Sequence, residues 1–90
     1  METKYKDCNN EVISYGDILR WLDTPKREKY SPKEPFFMIT KSNGEAMMYC
    51  SVMDEFAPIT DYQTKLDKEN ELSRFEIFAH RDVYERNLEV

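Results

Sequence analysis

The chain has 90 residues, of which 40% are apolar and 34% charged, and its net charge is −5. This length supports one domain with a modest hydrophobic core and excludes two independent domains. Aromatic residues make up 13% of the chain, which argues against disorder and favours a compact fold. We therefore predict that residues 1–90 form a single domain.

The sequence lacks the usual signals for insertion into or export across a membrane. It has no apolar run of about 18 residues or more, and residues 1–7 carry no hydrophobic signal region. Cys8 and Cys50 are the only cysteines, which is more typical of two free thiols than of a disulfide-bonded secreted domain. We therefore predict a cytoplasmic protein with no membrane partner.

The N-terminal residues predict a small β-hairpin. Residues 3–7 alternate weakly between apolar and polar side chains, and residues 11–13 form a short β-prone run. The Cys-Asn-Asn sequence between them is typical of a turn, because asparagine tolerates the left-handed backbone conformations that tight turns use. We therefore expect these two segments to pair.

A helix is predicted next, and it is the main helix of the expected fold. Ser14 has the side chain of a good N-cap, and Asp17 stands three residues later, as in a capping box. Four apolar residues recur at helical spacing and would share one side of the helix: Tyr15, Ile18, Leu19 and Leu22. Because Pro25 disfavours helical backbone in the residue before it, the sequence predicts a helix over residues 15–22.

Residues 20–33 form the most basic segment of the chain. Cations interleaved with aromatic side chains can contact phosphates and stack on bases. The candidate nucleic-acid contacts are Arg20, Trp21, Lys26, Arg27, Lys29, Tyr30 and Lys33. Because the chain is acidic overall, we favour a solvated linker here and treat direct nucleic-acid binding as the weaker hypothesis.

The strongest local signal is a hairpin over residues 35–53. Two apolar, β-prone runs flank Asn43 and Gly44, which tolerate the positive φ angles of a type I′ turn. A two-residue loop at this point places Ser42 opposite Glu45. Counting outwards places Phe37, Ile39, Met48 and Cys50 on one face and Phe36, Met38, Met47 and Tyr49 on the other. Both faces of the predicted hairpin are therefore largely apolar.

The C-terminal part predicts one strand and two short helices. Thr60 and Gln63 have capping-box spacing, and residues 61–69 fit a short helix with a thin apolar side. Residues 74–79 alternate as a half-buried strand, and Asp82 is suited to cap a final short helix. The elements together predict an α+β domain. Its mainly antiparallel sheet, of roughly three to five strands, is built on the central hairpin and packed by the first helix.

The sequence contains no recognisable catalytic, cofactor or metal motif. His80 is the only histidine, and a lone histidine is more often a surface residue than a general base. Gly16 and Gly44 are the only glycines, which excludes a glycine-rich phosphate loop. The two cysteines and His80 lack the paired spacing of zinc ligands. We therefore expect no cofactor, no metal ion and no enzymatic activity, with an enzyme of dispersed active site as the weakest alternative.

The favoured functional hypothesis is a small protein-binding module of inhibitor or adaptor type. If the helix covers one hairpin face, the Met and aromatic side chains of the other face are open to a partner; the alternative is that both faces are core. The acidic residues that follow, over 54–76, would imitate nucleic-acid phosphates and suit a basic nucleic-acid-binding protein. The candidate partner contacts are Phe36, Met38, Met47, Tyr49, Asp54, Glu55, Asp61, Asp67, Glu69 and Glu71. An open hairpin edge would also allow a homodimer by strand pairing.

Overall fold

The computed structural model describes residues 1–24 and 35–80, and these residues are almost entirely β-structure. The strands are β1 (Glu2–Lys6), β2 (Val12–Ser14), β3 (Ile18–Trp21), β4 (Phe37–Ser42), β5 (Glu45–Cys50), β6 (Glu55–Pro58) and β7 (Phe75–Ala79). The only helical element within the described residues is a 3-10 turn at Ile59–Tyr62. The predicted α+β class is therefore wrong, and the described chain is a mostly antiparallel β-protein. The final helix predicted after Asp82 lies outside the described residues.

Five strands form one sheet in the order β6-β5-β4-β3-β7, and all four pairings are antiparallel. β1 and β2 form a separate two-stranded sheet with an irregular register, so the predicted N-terminal hairpin is present. β7 corresponds to the strand predicted over residues 74–79. Within the described part of the chain, no helix is long and apolar enough to cross a membrane.

The central hairpin has the predicted turn and the predicted register. Asn43 and Gly44 have φ angles of 51° and 81°, as a type I′ turn requires. Ser42 lies opposite Glu45, and the pairing continues without a shift to the end of β4. The register could be predicted because a two-residue turn determines every pair outward from it.

The main helix predicted over residues 15–22 is wrong, because a turn and then strand β3 occupy these positions. The Ser14 N–H does donate to Asp17 Oδ2 at 2.8 Å, which is one of the two hydrogen bonds of a capping box. The Asp17 N–H donates back to the Ser14 carbonyl oxygen at 3.0 Å and closes a turn. Gly16 within this turn has a φ of 88°, which a right-handed helix does not contain. The Ser14–Asp17 pair therefore closes a turn directly before strand β3 and does not start a helix.

The apolar spacing that predicted this helix has a different cause. Ile18 and Leu19 are both buried, at 3% and 1% exposure, although consecutive residues of a strand point to opposite faces. β3 lies between β4 and β7, and a strand inside a sheet can bury both of its faces. Consecutive buried residues fit such a strand as well as a helix.

The second predicted helix, over residues 61–69, is also wrong. The Thr60–Gln63 spacing corresponds to a backbone bond from the Gln63 N–H to the Thr60 carbonyl oxygen at 3.3 Å. This bond closes the 3-10 turn, and Gln63 then adopts an extended conformation that ends it. A thin apolar side gave this segment too little packing surface to extend the turn into an α-helix.

The hydrophobic core lies on one face of the large sheet. Its buried members are Ile13, Leu19, Ile39, Met48, Ile59, Leu72 and Phe75. Two of them, Ile39 and Met48, belong to the hairpin face that was predicted to pack against the helix. In place of a helix, the small sheet supplies Ile13, and the segment between β6 and β7 supplies Ile59 and Leu72.

The buried carboxylate of Asp7 joins the small sheet to the large one. Its Oδ1 accepts hydrogen bonds from the N–H groups of Asn9 at 2.9 Å and Glu11 at 3.0 Å, which shapes the β1–β2 turn. Its Oδ2 accepts from the N–H of Ile77 in β7 at 2.9 Å. The neighbouring Cys8 N–H donates to the Phe75 carbonyl oxygen at 2.8 Å. The β1–β2 turn therefore closes the outer edge of β7.

The opposite edge of the large sheet is β6. In a two-residue hairpin, the pair next to the turn, Ser42–Glu45, is a hydrogen-bonded pair, and hydrogen-bonded and non-hydrogen-bonded pairs then alternate along the ladder. Met48 and Cys50 belong to non-hydrogen-bonded pairs with β4, so their backbone groups bond to β6 instead. The outward backbone groups of β6 are then those of Phe56 and Pro58, and proline has no N–H. This short edge offers an incoming strand few donors.

Replacing Asp7 tests its role as the link between the sheets. Asp7→Ala leaves three backbone N–H groups without their acceptor, so we expect the free energy of unfolding to fall by about 3 kcal/mol or more. Urea unfolding followed by circular dichroism measures this change. Asp23→Ala, at an exposed carboxylate, is the matched control and should change stability by less than about 0.5 kcal/mol. A loss below about 1 kcal/mol for Asp7→Ala would contradict the assignment.

Alanine at position 16 distinguishes the turn from the predicted helix. In a helix, Gly16→Ala would stabilise the protein by up to about 1 kcal/mol, whereas at a φ of 88° it should destabilise it by about 1–2 kcal/mol. Gly44→Ala is the control, because its added Cβ would meet no atom within 4 Å and its cost is backbone strain alone. Urea unfolding should show a loss for Gly16→Ala at least as large as that for Gly44→Ala, because Gly16 is buried and Gly44 is exposed. Stabilisation by Gly16→Ala would refute the turn.

Candidate partner-binding surface

The second face of the large sheet carries a row of aromatic side chains across three adjacent strands. The ring centroid of Phe36, directly before β4, lies 6.0 Å from that of Tyr49 in β5. Tyr49 in turn lies 5.0 Å from Phe56 in β6. Phe36 and Tyr49 are half-buried, whereas Phe56 is 55% exposed. Sequence reasoning predicted Phe36 and Tyr49 for this face but missed Phe56, because it did not predict β6.

The turn between β5 and β6 carries two exposed apolar side chains, which lie close to Phe56 in the sequence. Val52 is 70% exposed and Met53 is 61% exposed. We call Val52, Met53 and Phe56 the turn patch. Sequence reasoning did not select Val52 or Met53. Their position between the end of a predicted strand and the acidic pair Asp54-Glu55 was the one sequence feature that could have indicated their exposure. Their exposure depends on the turn geometry, which the sequence did not reveal.

A hydrogen bond ties the turn to the aromatic row. The Tyr49 hydroxyl donates to Asp54 Oδ1 at 2.7 Å, and Asp54 has a left-handed φ of 49° that places it in the turn. The hydrogen bond to Asp54, with smaller contributions from desolvation and from the Asp54 charge, raises the pKa of Tyr49. Tyr49 therefore stays neutral and keeps its donor near neutral pH.

The predicted methionines occupy the same face. Met38 pairs with Tyr49, and Met47 pairs with Thr40, in the hairpin register. Both methionines are half-buried. The four apolar residues predicted as partner contacts, Phe36, Met38, Met47 and Tyr49, therefore lie on one sheet face, as the register implied.

The predicted acidic contacts do not form one surface. Asp54 and Glu55 lie between Met53 and Phe56 of the turn patch in the sequence, whereas Asp61 lines a small cavity beside Trp21. Two more, Glu69 and Glu71, line a crevice of about 390 Å³ on the small sheet. Three lysines share this crevice: Lys4, Lys6 and Lys68. The crevice therefore has mixed charge, and it adds no acidic surface to the turn patch.

Asp67, the remaining acidic candidate, organises the loop that precedes β7. Its Oδ2 accepts from the Thr64 N–H at 2.7 Å, and its Oδ1 accepts from the Ser73 N–H at 3.3 Å. Desolvation acts to raise the pKa of Asp67, but the hydrogen bonds from Ser73 and Thr64 together outweigh it and hold this pKa below its usual value. Asp67 is thus a structural residue of the loop.

Of the candidate nucleic-acid contacts, only Arg20 and Trp21 lie in the described part of the chain. Arg20 Nε donates to Glu76 Oε1 at 2.8 Å, its Nη1 donates to the Thr24 carbonyl oxygen at 2.8 Å, and its side chain is 11% exposed. Trp21 stacks on Phe75 with a centroid distance of 6.4 Å. Lys26, Arg27, Lys29, Tyr30 and Lys33 lie outside the described residues. The predicted set as a whole therefore stays a prediction.

His80 lies beside the Ser14–Asp17 turn. Its Nδ1 is 2.9 Å from Oδ1 of the buried Asp17, whose other carboxylate oxygen accepts the Ser14 N–H. Both cysteines have free thiols, and Cys50 is buried while Cys8 is exposed. Desolvation, followed by the charges of Asp7 and Glu76, raises the pKa of Cys8 and so disfavours its nucleophilic thiolate. Among the described residues, no group of three or more His, Cys, Asp or Glu side chains is placed to hold a metal ion.

Comparison of the chain with known proteins adds nothing to this description. No family model, curated protein or solved structure matches it. The described residues define a small antiparallel β-protein with exposed apolar side chains in the β5–β6 turn and on β6.

The lowered pKa of Asp67 predicts how the loop responds to pH. A carboxyl whose pKa is lower in the folded state adds stability above its unfolded pKa, about 3.8, and this stability is lost as the pH falls through the folded value. Asp67→Asn should therefore be less stable than the wild type by about 1 kcal/mol near pH 6. The difference should shrink as the pH falls below about 3.8 and through the lower folded pKa of Asp67, because protonated aspartate resembles asparagine. Urea unfolding at several pH values checks this, and a difference independent of pH would contradict it.

Proposed function

We propose that this chain is a small protein-binding module, of inhibitor or adaptor type, that acts in the cytoplasm and docks through its second sheet face. The observation that carries the proposal is the exposure of three neighbouring apolar side chains in the turn patch, at 70%, 61% and 55%. Exposed apolar clusters of this kind mark interaction sites in soluble proteins. The half-buried Met and aromatic residues beside the patch extend the contact surface.

The residue types of this surface favour a protein partner. Aromatic residues and methionine are enriched at the centres of protein interfaces, and methionine adapts its shape to a partner. Phe56 is suited to be the anchor, because one side of its ring already packs near Tyr49 while more than half of the residue is exposed. Little side-chain freedom is then lost on binding.

The charge beside the patch favours a basic partner. Asp54 and Glu55 lie between Met53 and Phe56 in the chain, and both are exposed. Apolar anchors with neighbouring carboxylates complement an apolar site with neighbouring Lys or Arg residues, and such charges speed association and orient the partner. A nucleic-acid-binding protein is one source of such a site, with these two carboxylates in the place of phosphates.

The same geometry makes a homodimer less favourable than a basic partner. Strand pairing through β6 would have to use an edge where Pro58 supplies no N–H. A symmetric dimer on the turn patch would bring Asp54 and Glu55 of both copies close together, which costs free energy by repulsion. The nucleic-acid alternative has less support, because Arg20 is already paired with Glu76.

Removing the turn patch tests the proposal. We expect the double variant Met53→Ser/Phe56→Ser to lose a specific basic partner by about tenfold or more, because both side chains are apolar anchors at the centre of the contact. The measurement is quantitative mass spectrometry of proteins captured from a lysate of the source cell by immobilised wild type and variant. Circular dichroism first checks that both are folded.

Leu66→Ser is the matched control, because Leu66 is also apolar and is 92% exposed, but in the loop before β7. It should capture the same partner as the wild type. The captured amount should also fall with rising salt, and Asp54→Asn/Glu55→Gln should weaken this salt dependence. Equal capture by the wild type and the patch variant would refute the docking surface, and capture insensitive to salt would refute its electrostatic part.

A further inference from the structure

A second surface site, separate from the turn patch, is a cavity of about 260 Å³ beside β3 and the 3-10 turn. Its lining combines aromatic rings with polar and charged side chains. The lining residues are Trp21, Asp61, Tyr62, Gln63, Thr64, Arg74 and Phe75. A volume of this size suits one planar ring system rather than an extended ligand.

Trp21 provides a preformed stacking platform in this cavity. Its ring lies 6.4 Å from that of the buried Phe75 at an interplanar angle of 23°, and Phe37 contacts it edge-on at 6.3 Å. Trp21 is nevertheless 37% exposed. Tyr62 makes edge contacts to Phe75 at 5.8 Å and to Phe37 at 5.6 Å. A flat ligand can therefore stack on an indole that is already held in place.

The charged groups around these rings are available for a ligand. Within the described residues, the Asp61 carboxylate accepts no hydrogen bond and the Arg74 guanidinium makes no side-chain hydrogen bond or ion pair. Gln63 donates through Nε2 to the Glu71 carbonyl oxygen at 2.9 Å, so its Oε1 points away from that bond as a further acceptor. The cavity thus offers acceptors from Asp61 and Gln63 and one cation from Arg74.

We propose that this cavity binds a nucleobase that carries an amino group, with the base stacked on Trp21 and its amino group donating to Asp61. Stacking on an aromatic side chain accepts any base, so the selectivity comes from the acceptor. A carboxylate accepts from the N4 amino group of cytosine, whereas uracil presents a carbonyl oxygen at the same position and repels it. Arg74 would pair with the phosphate of the nucleotide. A simple cationic ligand fits less well, because Arg74 would repel it.

CMP and UMP form a matched pair for the test, because the two bases differ only at C4, which carries an amino group in cytosine and a carbonyl oxygen in uracil, and at the adjacent N3, which is an acceptor in cytosine and an N–H donor in uracil. Trp21 is the only tryptophan of the chain, so its fluorescence reports directly on the proposed site. We expect CMP to quench Trp21 fluorescence saturably and to bind about tenfold more tightly than UMP. Free N-acetyltryptophanamide, titrated in parallel, corrects for absorption by the nucleotides.

Two exposed positions allow the cavity to be altered without touching the core. Asp61→Asn should remove most of the preference for CMP over UMP, and Arg74→Gln should weaken CMP several-fold but leave cytidine unchanged. Asp54→Asn, at the turn patch, is the control and should bind as the wild type does. No saturable quenching at millimolar CMP would overturn the proposal, and so would a CMP preference that survives Asp61→Asn.

A short oligocytidine separates the two sources of such a base. If it binds more tightly than CMP at equal base concentration, a single-stranded nucleic acid supplies the base, and if it binds equally or more weakly, a free nucleotide does. Either result supports the pocket itself. Because Asp61 and Arg74 lie outside the turn patch, loss of partner capture and loss of nucleotide binding can be measured independently.

Discussion

The fold depends on one buried negative charge. The Asp7 carboxylate is 2% exposed and accepts three backbone N–H groups, two from its own turn and one from Ile77, seventy positions further along the chain. A carboxylate is buried at low cost only where its oxygens accept hydrogen bonds. Here the donors are backbone N–H groups of the β1–β2 turn and of the outer edge of β7, which would otherwise lack an acceptor. One side chain therefore shapes the β1–β2 turn, closes β7 and holds the small sheet over the core.

The elements that could be predicted are those whose geometry is local. The central hairpin followed from Asn43-Gly44, because a two-residue turn determines the whole register. The prediction of a helix over residues 15–22 was wrong because the two signals for it are not specific to helices. The Ser14–Asp17 bond forms in a turn as readily as in a capping box, and buried neighbours such as Ile18 and Leu19 also occur in a strand inside a sheet. Gly16 was the contrary signal, since its φ of 88° suits a turn.

The candidate surface, too, could be predicted only where its geometry follows from the local hairpin register. Phe36, Met38, Met47 and Tyr49 share a face because alternation within a known register requires it. The acidic residues were grouped by their order in the sequence, and the fold disperses them, with Asp67 used to build a loop. Phe56 was missed because the strand β6 was not predicted after the turn that follows β5. The cavity beside Trp21 depends on the pairing of β3 with the distant β7, which neither composition nor periodicity reveals.

The position of β3 has a consequence for how the protein folds as it is synthesised. β3 is an internal strand of the sheet, but its neighbour β7 comes more than fifty residues later, with Trp21 opposite Phe75. Until residues 75–79 have left the ribosome, the backbone of β3 has no partner on that side, and Asp7 lacks its third donor. Nonlocal pairing of this kind slows folding and exposes strand edges during synthesis. The sheet of the nascent chain is therefore complete only when β7, the last strand, pairs with β3. A chain truncated before β7 would expose the edge of β3 and would be prone to aggregate.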